Sequence, residues 1–157
     1  MKPNKLKERF INSFPDLLIS DHIERLSNYL SFNFQYFDTS QKPSCDFSDL
    51  TEEQLNKLIQ KIKHYSSNTF EYWKKQRIGK GNNNVLEIYG DFPRKSEFTH
   101  PKNVPSDVLW ARFRLESDMR LIGFIIPQDQ CNEYNLPKNI FYVVFIDPLH
   151  GFYKSTG

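Results

Sequence analysis

The chain changes its hydrophobic period near residue 80. Before that point apolar residues recur every three or four positions, which is the spacing of amphipathic helices. After it, apolar and polar residues alternate in short runs, which is typical of strands with one buried face. Helices followed by strands predict an α+β fold. We expect a single domain over 1–157, with a mostly helical region over 1–80 and an antiparallel sheet over 81–157.

The clearest predicted helix begins at Thr51, because Thr51 and Gln54 form a capping-box pattern and an apolar stripe follows. A shorter helix over 68–77 is expected to bring Phe70 and Trp73 into the core. Two further helices are predicted before residue 31. Their apolar positions are Leu6, Phe10, Ile11, Phe14, Ile23, Leu26, Tyr29 and Leu30.

The second half of the chain predicts a hairpin and a buried central strand. Residues 109–115 alternate in period two, and a tight turn leads into 119–126. Residues 141–146 are apolar on both faces, which favours a position in the middle of the sheet. Residues 85–89 predict a further strand, and the polar residues 127–137 predict a protruding loop.

Composition narrows the class of protein. The chain has 157 residues, of which 38% are hydrophobic and 15% aromatic, so it can bury a core of its own. A net charge of +2 is not the strongly basic balance of a nucleic-acid-binding protein, so any contact with RNA requires a local patch. Without an apolar run of about 18 residues or a secretion signal, we expect a soluble, cytoplasmic protein that contacts no membrane.

The cysteines and histidines do not indicate a cofactor. Cys45 and Cys131 lie far apart in polar sequence; they could pair, but free thiols in a reducing cytosol are the better interpretation. The four histidines are scattered, and no motif has metal-ligand spacing. We therefore expect neither a metal nor an organic cofactor.

The hairpin carries the candidate chemistry. Arg112 and Arg114 are two residues apart, so both point to the face opposite Phe113, and Arg120 follows just after the turn. One interpretation is that these arginines solvate the outer face of a half-buried sheet. The alternative is a phosphate site, because guanidinium groups bind phosphate through paired hydrogen bonds.

A second candidate lies beyond the last strand, where His150 and Tyr153 follow the apolar run. A histidine at this position can be a capping residue with a structural role. If the last strand neighbours the arginine strand, however, His150 can transfer a proton beside guanidinium groups. That combination suits cleavage of a phosphodiester, in which the arginines offset the charge that develops on the phosphate.

Two stretches resemble a known family. Residues 111–124, ARFRLESDMRLIGF, resemble the central hairpin of RelE/HigB-like toxins of bacterial toxin–antitoxin pairs. Residues 141–153, FYVVFIDPLHGFY, resemble the last core strand of HigB-type members, in which a turn, a His and then a Tyr follow aliphatic residues. The resemblance implies N-terminal helices packed on a twisted antiparallel sheet. It also implies metal-independent cleavage of mRNA on the ribosome by the RNA 2′-hydroxyl, and a cognate antitoxin as partner.

The resemblance assigns roles to five residues. Arg112 and Arg114 would bind RNA, and Arg114 and Arg120 would stabilise the transition state. His150 would be the acid or base, and Tyr153 would orient the substrate or stack on a base. Two other functions stay open. The chain could be a non-catalytic protein-binding module of toxin fold, such as a phage-defence or immunity-type factor, or it could bind RNA or a nucleotide without cleaving it.

Overall fold

The computed structural model describes residues 4–154 and confirms the α+β class. Five strands form one sheet in the order β1-β5-β4-β3-β2. The sheet is mixed rather than wholly antiparallel, because β1 joins its edge parallel to β5 while the other neighbours are antiparallel. The strands are β1 (Ser31–Asn33), β2 (Leu86–Gly90), β3 (Leu109–Arg114), β4 (Arg120–Ile125) and β5 (Ile140–Asp147).

The helices are short except for one. They are α1 (Lys5–Ile11), α2 (Ile23–Asn28), α3 (Glu52–Tyr65), α4 (Phe70–Lys75) and α5 (Gln128–Tyr134), with 3₁₀ turns at Ile19–His22 and Phe47–Asp49. The predicted start of α3 is confirmed. The Thr51 hydroxyl accepts the Gln54 N–H at 3.1 Å, and the Gln54 side chain accepts the Thr51 N–H at 3.0 Å. No helix within residues 4–154 is long and apolar enough to cross a membrane.

Side chains from α3 and α4 contact one face of the sheet. The Tyr65 ring stacks on Phe113 of β3 with centroids 4.7 Å apart, and its hydroxyl donates to the Arg114 carbonyl at 2.5 Å. Trp73 donates its indole N–H to the Tyr65 carbonyl at 2.7 Å. These bonds satisfy the polar atoms of two large buried side chains, and they fix the end of β3 against α3.

The opposite face of the sheet is also largely buried, so the expectation of a single buried face along β3 is wrong. Trp110 points to this second face and is only 1% exposed. It is covered because the segment between β2 and β3 folds back with the C-terminal Phe152 over it. The buried residues of this cluster are Phe98, Val104, Val108, Trp110, Ile122, Phe124, Val144, Phe145 and Phe152, and the partly buried Phe92 packs against them.

The segment 127–137 is a short helix rather than the predicted protruding loop. Pro127 precedes α5, and Asn135 ends it in a left-handed conformation with φ 55°. Cys131 is the buried residue of α5, and its apolar side chain holds the helix against the domain. Cys131 and the half-buried Cys45 are both free thiols.

The first two helices do not join the core. We define residues 4–28 as the N-terminal arm; neither α1 nor α2 contains a buried residue. The helical spacing was predicted correctly, but a spacing shows only which side chains share a face and not what that face contacts. Of the eight apolar positions predicted for these helices, Leu30 alone is buried, just beyond α2.

The fold makes a testable prediction at Gly123, where the β4–β5 pairing shifts register. A Cβ atom there would lie 2.7 Å from Cε1 of Phe141 and would also meet the Tyr142 carbonyl oxygen. We expect Gly123→Ala to lower the free energy of unfolding by about 1–3 kcal/mol, measured by urea denaturation. Gly81→Ala is the control, because it adds a Cβ in open space. Equal stability of the two variants would contradict the close packing at Gly123.

Candidate functional site

Three arginines lie on the second face of the sheet, at the end nearest the β3–β4 turn. Arg112 and Arg114 share the face of Trp110, and the β3–β4 register pairs Arg114 with Arg120. We call Arg112, Arg114 and Arg120 the arginine face. Burial, followed by the positive charges of the other two arginines, lowers the pKa of Arg120 to about 10. The three guanidinium groups therefore repel one another, which favours binding of an anion between them.

Arg120 is buried without a full set of partners. It is 4% exposed; its Nη1 donates to the carbonyls of Ser117 at 3.0 Å and Met119 at 2.9 Å, while its Nε has no hydrogen-bond partner. Among residues 4–154, no carboxylate lies within 4.0 Å of its guanidinium nitrogens. An unpaired buried charge is costly, and a bound anion would remove that cost.

Asp147 lies opposite Arg120 in the β4–β5 register, but its carboxylate is used elsewhere. It accepts the backbone N–H groups of Leu149 at 3.3 Å, Gly151 at 2.9 Å and Phe152 at 2.9 Å. These bonds fold the chain after β5 into a tight loop. The carboxylate therefore shapes the loop that carries His150 and does not neutralise Arg120.

The loop places His150 beside the arginine face. Its backbone is left-handed, with φ 58°, which a non-glycine residue adopts only where surrounding contacts enforce it. Its Nε2 lies 3.8 Å from an Asp118 carboxylate oxygen. Partial burial and the charge of Arg120 lower the pKa of His150, while Asp118 opposes the change. The shift favours the neutral imidazole, which can accept a proton.

Tyr153 extends the site with an aromatic surface. Its ring stacks on Tyr89 of β2 with centroids 4.6 Å apart and an interplanar angle of 7°. Tyr89 follows Glu87 on the same face of β2, and Glu87 pairs with Arg112, so the stacked pair lies next to Arg112. Burial raises the pKa of Tyr89, and the charge of Arg112 acts in the opposite direction. Tyr153 remains half exposed, and an ion pair of 2.5 Å between Lys154 and Glu97 holds the segment that follows it.

All five residues proposed from the sequence therefore lie in one region, together with three neighbours that the sequence pattern did not indicate. Glu87 pairs with Arg112 in the β2–β3 register, and Tyr89 follows on the same face. Asp118 belongs to the turn and approaches His150. The alternation of Glu87 and Tyr89 along β2 was a usable signal, but only the sheet order reveals which strand they face.

The side chains of this region have the chemistry needed to bind an anion and to accept a proton. Arg112 is held in place by donating to the Asn84 carbonyl at 3.1 Å, and Arg114 is half-buried. The arginines can bind a phosphate, the imidazole of His150 can accept a proton, and the Tyr153 ring can stack on a base. Within residues 4–154 there is no group of three or more His, Cys, Asp or Glu side chains positioned to hold a metal ion.

The charges around His150 predict that two substitutions shift its pKa in opposite directions. Arg112→Gln removes a cation that lowers the His150 pKa, so it should raise that pKa. Asp118→Asn removes a carboxylate that raises it, so it should lower the pKa further. In the wild type we expect a value below the usual value of about 6.5. An NMR titration of the imidazole measures all three proteins. Identical titrations would show that these charges do not act on His150.

Comparison with known proteins does not identify a family. No family model matches the chain, and neither the curated proteins nor the solved structures include a significant match. The relationship to RelE/HigB-like toxins therefore stays a prediction.

Proposed function

We propose that this protein is a RelE/HigB-like toxin, a metal-independent endoribonuclease that cleaves RNA by attack of the 2′-hydroxyl on the adjacent phosphodiester. The observation that carries the proposal is the buried Arg120, which has no carboxylate within 4.0 Å of its guanidinium nitrogens among residues 4–154 and lies with two further arginines beside His150. Cationic groups without carboxylate partners suit a ligand with negative charge. The imidazole supplies the proton acceptor that simple phosphate binding does not need.

In the proposed complex, Arg112 and Arg114 bind the RNA backbone, and Arg120 contacts the scissile phosphate. The phosphorus gains negative charge as the 2′-oxygen approaches, so a fixed guanidinium stabilises the transition state more than the bound substrate. Arg120 is already desolvated and held by two carbonyls, so little reorganisation accompanies the reaction. Such a contact is worth about 3–4 kcal/mol in comparable sites.

His150 is the proposed general base. Its neutral imidazole accepts the proton of the 2′-hydroxyl while the 2′-oxygen bonds to phosphorus and the bond from phosphorus to the 5′-oxygen breaks. The 5′-oxygen takes a proton from water, and the imidazolium later releases its own proton to solvent. The products are a 2′,3′-cyclic phosphate and a 5′-hydroxyl. Glu87, opposite Arg112, is a second possible proton acceptor.

The aromatic pair gives the site a place for a base. The inner face of Tyr153 is occupied by Tyr89, and half of the Tyr153 surface is exposed to solvent. Stacking of one base on an aromatic ring contributes about 1–3 kcal/mol and tolerates different bases. We propose that Tyr153 orients a nucleotide next to the scissile phosphate.

The resemblance supplies the remainder of the proposal. The substrate would be mRNA on the ribosome, which locates the protein in the cytoplasm, and a cognate antitoxin would hold it inactive. The net charge of +2 is lower than that of toxins that dock on ribosomal RNA, so the affinity of this protein for RNA should depend only weakly on salt concentration.

The proposal is tested by cleavage of mRNA, both free and on ribosomes, followed by mapping of the new ends. We expect His150→Gln to slow cleavage about 10²–10⁴-fold, because the proton acceptor is lost. Arg120→Lys should retain the charge and lose the paired hydrogen bonds, with a loss of about 10²–10³-fold. Glu87→Gln removes the second proton acceptor, so its cleavage rate separates the contribution of Glu87 from that of His150. Arg94→Gln, an exposed arginine outside the arginine face, is the matched control and should remain active.

The outcomes distinguish the alternatives. An RNA with a 2′-deoxy sugar at the scissile position should bind without being cut, and EDTA should not change the rate. Full activity of His150→Gln would remove the base assignment. Binding of RNA without cleavage would indicate a non-catalytic RNA-binding protein. A folded wild-type protein that neither binds nor cleaves RNA would favour the protein-binding module.

A further inference from the structure

The N-terminal arm carries an apolar stripe that no other part of residues 4–154 covers. Leu6 and Phe10 lie one turn apart on α1 and are 75% and 65% exposed. Phe14 extends the stripe beyond the helix, with its ring 5.0 Å from that of Phe10 in an edge-to-face contact. A stripe of large apolar side chains on a folded protein usually marks an interaction surface.

Basic residues border this stripe. Lys5 and Arg9 lie four positions apart along one side of α1, and Lys7 lies on the other side. Glu8 is the one acidic residue of the helix. Three positive charges therefore border the apolar stripe, and the one negative charge of the helix lies on its far side, so the stripe suits a receptor that is apolar inside and acidic at its edge.

The same chain contains a receptor of that kind. A groove of about 570 Å³ lies between the start of α3, the β3–β4 turn and the residues after β5. Its floor includes the buried Leu58 and Leu115. Met119 and Leu149 line it as well, and Leu149 is 82% exposed. We call this the apolar groove.

The edge of the apolar groove is acidic. Glu53, Glu116 and Asp118 line it, and Lys57 is the one basic residue in its lining. Lys57 is already paired with Glu53 at 3.1 Å. Three negative charges and one positive charge therefore border an apolar floor, which is the reverse of the charge pattern on α1.

We propose that α1 of one chain docks in the apolar groove of a second copy, and that two copies exchange arms reciprocally to form a symmetric dimer. The stripe Leu6–Phe10–Phe14 would cover the floor of the groove, while Lys5 and Arg9 would approach its acidic edge. Both complementary surfaces are present on every chain, so a two-fold arrangement satisfies two grooves at once. Because two arms dock, the buried area is twice that of one seven-residue helix, which brings it closer to the area that a stable interface needs. This proposal does not depend on RNA binding or cleavage.

Charge reversal tests the proposal with the full-length protein in analytical ultracentrifugation. Wild type should sediment as a dimer. The arm-reversed variant, Lys5→Glu/Arg9→Glu, and the groove-reversed variant, Glu53→Lys/Glu116→Lys, should each dissociate, with dimer affinity reduced about tenfold or more. When the two variants are mixed, the acidic arm of the arm-reversed variant meets the basic groove of the groove-reversed variant. The native basic arm of the groove-reversed variant meets the native acidic groove of the other chain. The mixture should therefore form a one-to-one heterodimer.

Two further variants complete the design. Arg94→Glu/Lys95→Glu changes the net charge as the arm-reversed variant does, but at exposed positions outside both surfaces, and it should remain dimeric. Phe10→Asp tests the apolar stripe and should be monomeric, with circular dichroism confirming the fold. A monomeric wild type at high micromolar concentration would overturn the proposal. So would a dimer that both reversed variants retain, or a mixture without heterodimer, as expected if the arm docked on its own chain.

Discussion

The carboxylate of Asp147 determines how the candidate site is built. It lies across from Arg120 at the end of the sheet, where an ion pair would be the simplest arrangement. Instead it accepts three backbone N–H groups and closes the loop after β5. That loop directs Phe152 into the aromatic cluster and holds His150 in a left-handed conformation. Among residues 4–154, no carboxylate lies within 4.0 Å of the Arg120 guanidinium nitrogens. One set of hydrogen bonds thus fixes Phe152 in the core and His150 in its loop, and it leaves the charge of Arg120 uncompensated.

Much of the sheet could be predicted from the sequence, because the patterns that indicate its strands are formed by residues close together in the chain. The capping pair at Thr51, the hairpin and the doubly apolar strand each depend on residues close in the chain, and all were found where the pattern indicated. The parallel edge strand β1 was not predicted as such, because its pairing with β5 joins residues more than a hundred positions apart. For the same reason only one face of β3 was expected to be buried, because the segment that covers Trp110 on the other face is irregular and has no period.

The candidate site was predictable in its residue types but not in its arrangement. Alternation showed that Arg112 and Arg114 share a face, and hairpin geometry brought Arg120 close to them. The approach of His150 depends on the place of β5 beside β4 and on the loop that Asp147 folds. Neither follows from spacing alone. The exposed arm is the opposite case, since its helical period is clear while the surface that receives it lies outside any local pattern.

The two proposed interactions lie on opposite sides of the β3–β4 turn and meet at Asp118. This carboxylate lines the apolar groove and also lies 3.8 Å from His150, whose pKa it raises. A basic side chain brought to Asp118 by a docked arm would offset that effect and favour the neutral imidazole further. The two interactions nevertheless remain separable by experiment, because Arg114 and His150 do not line the groove and the arm residues lie outside the arginine face. Loss of the dimer would leave the arginine face intact, and loss of cleavage would leave the groove unchanged.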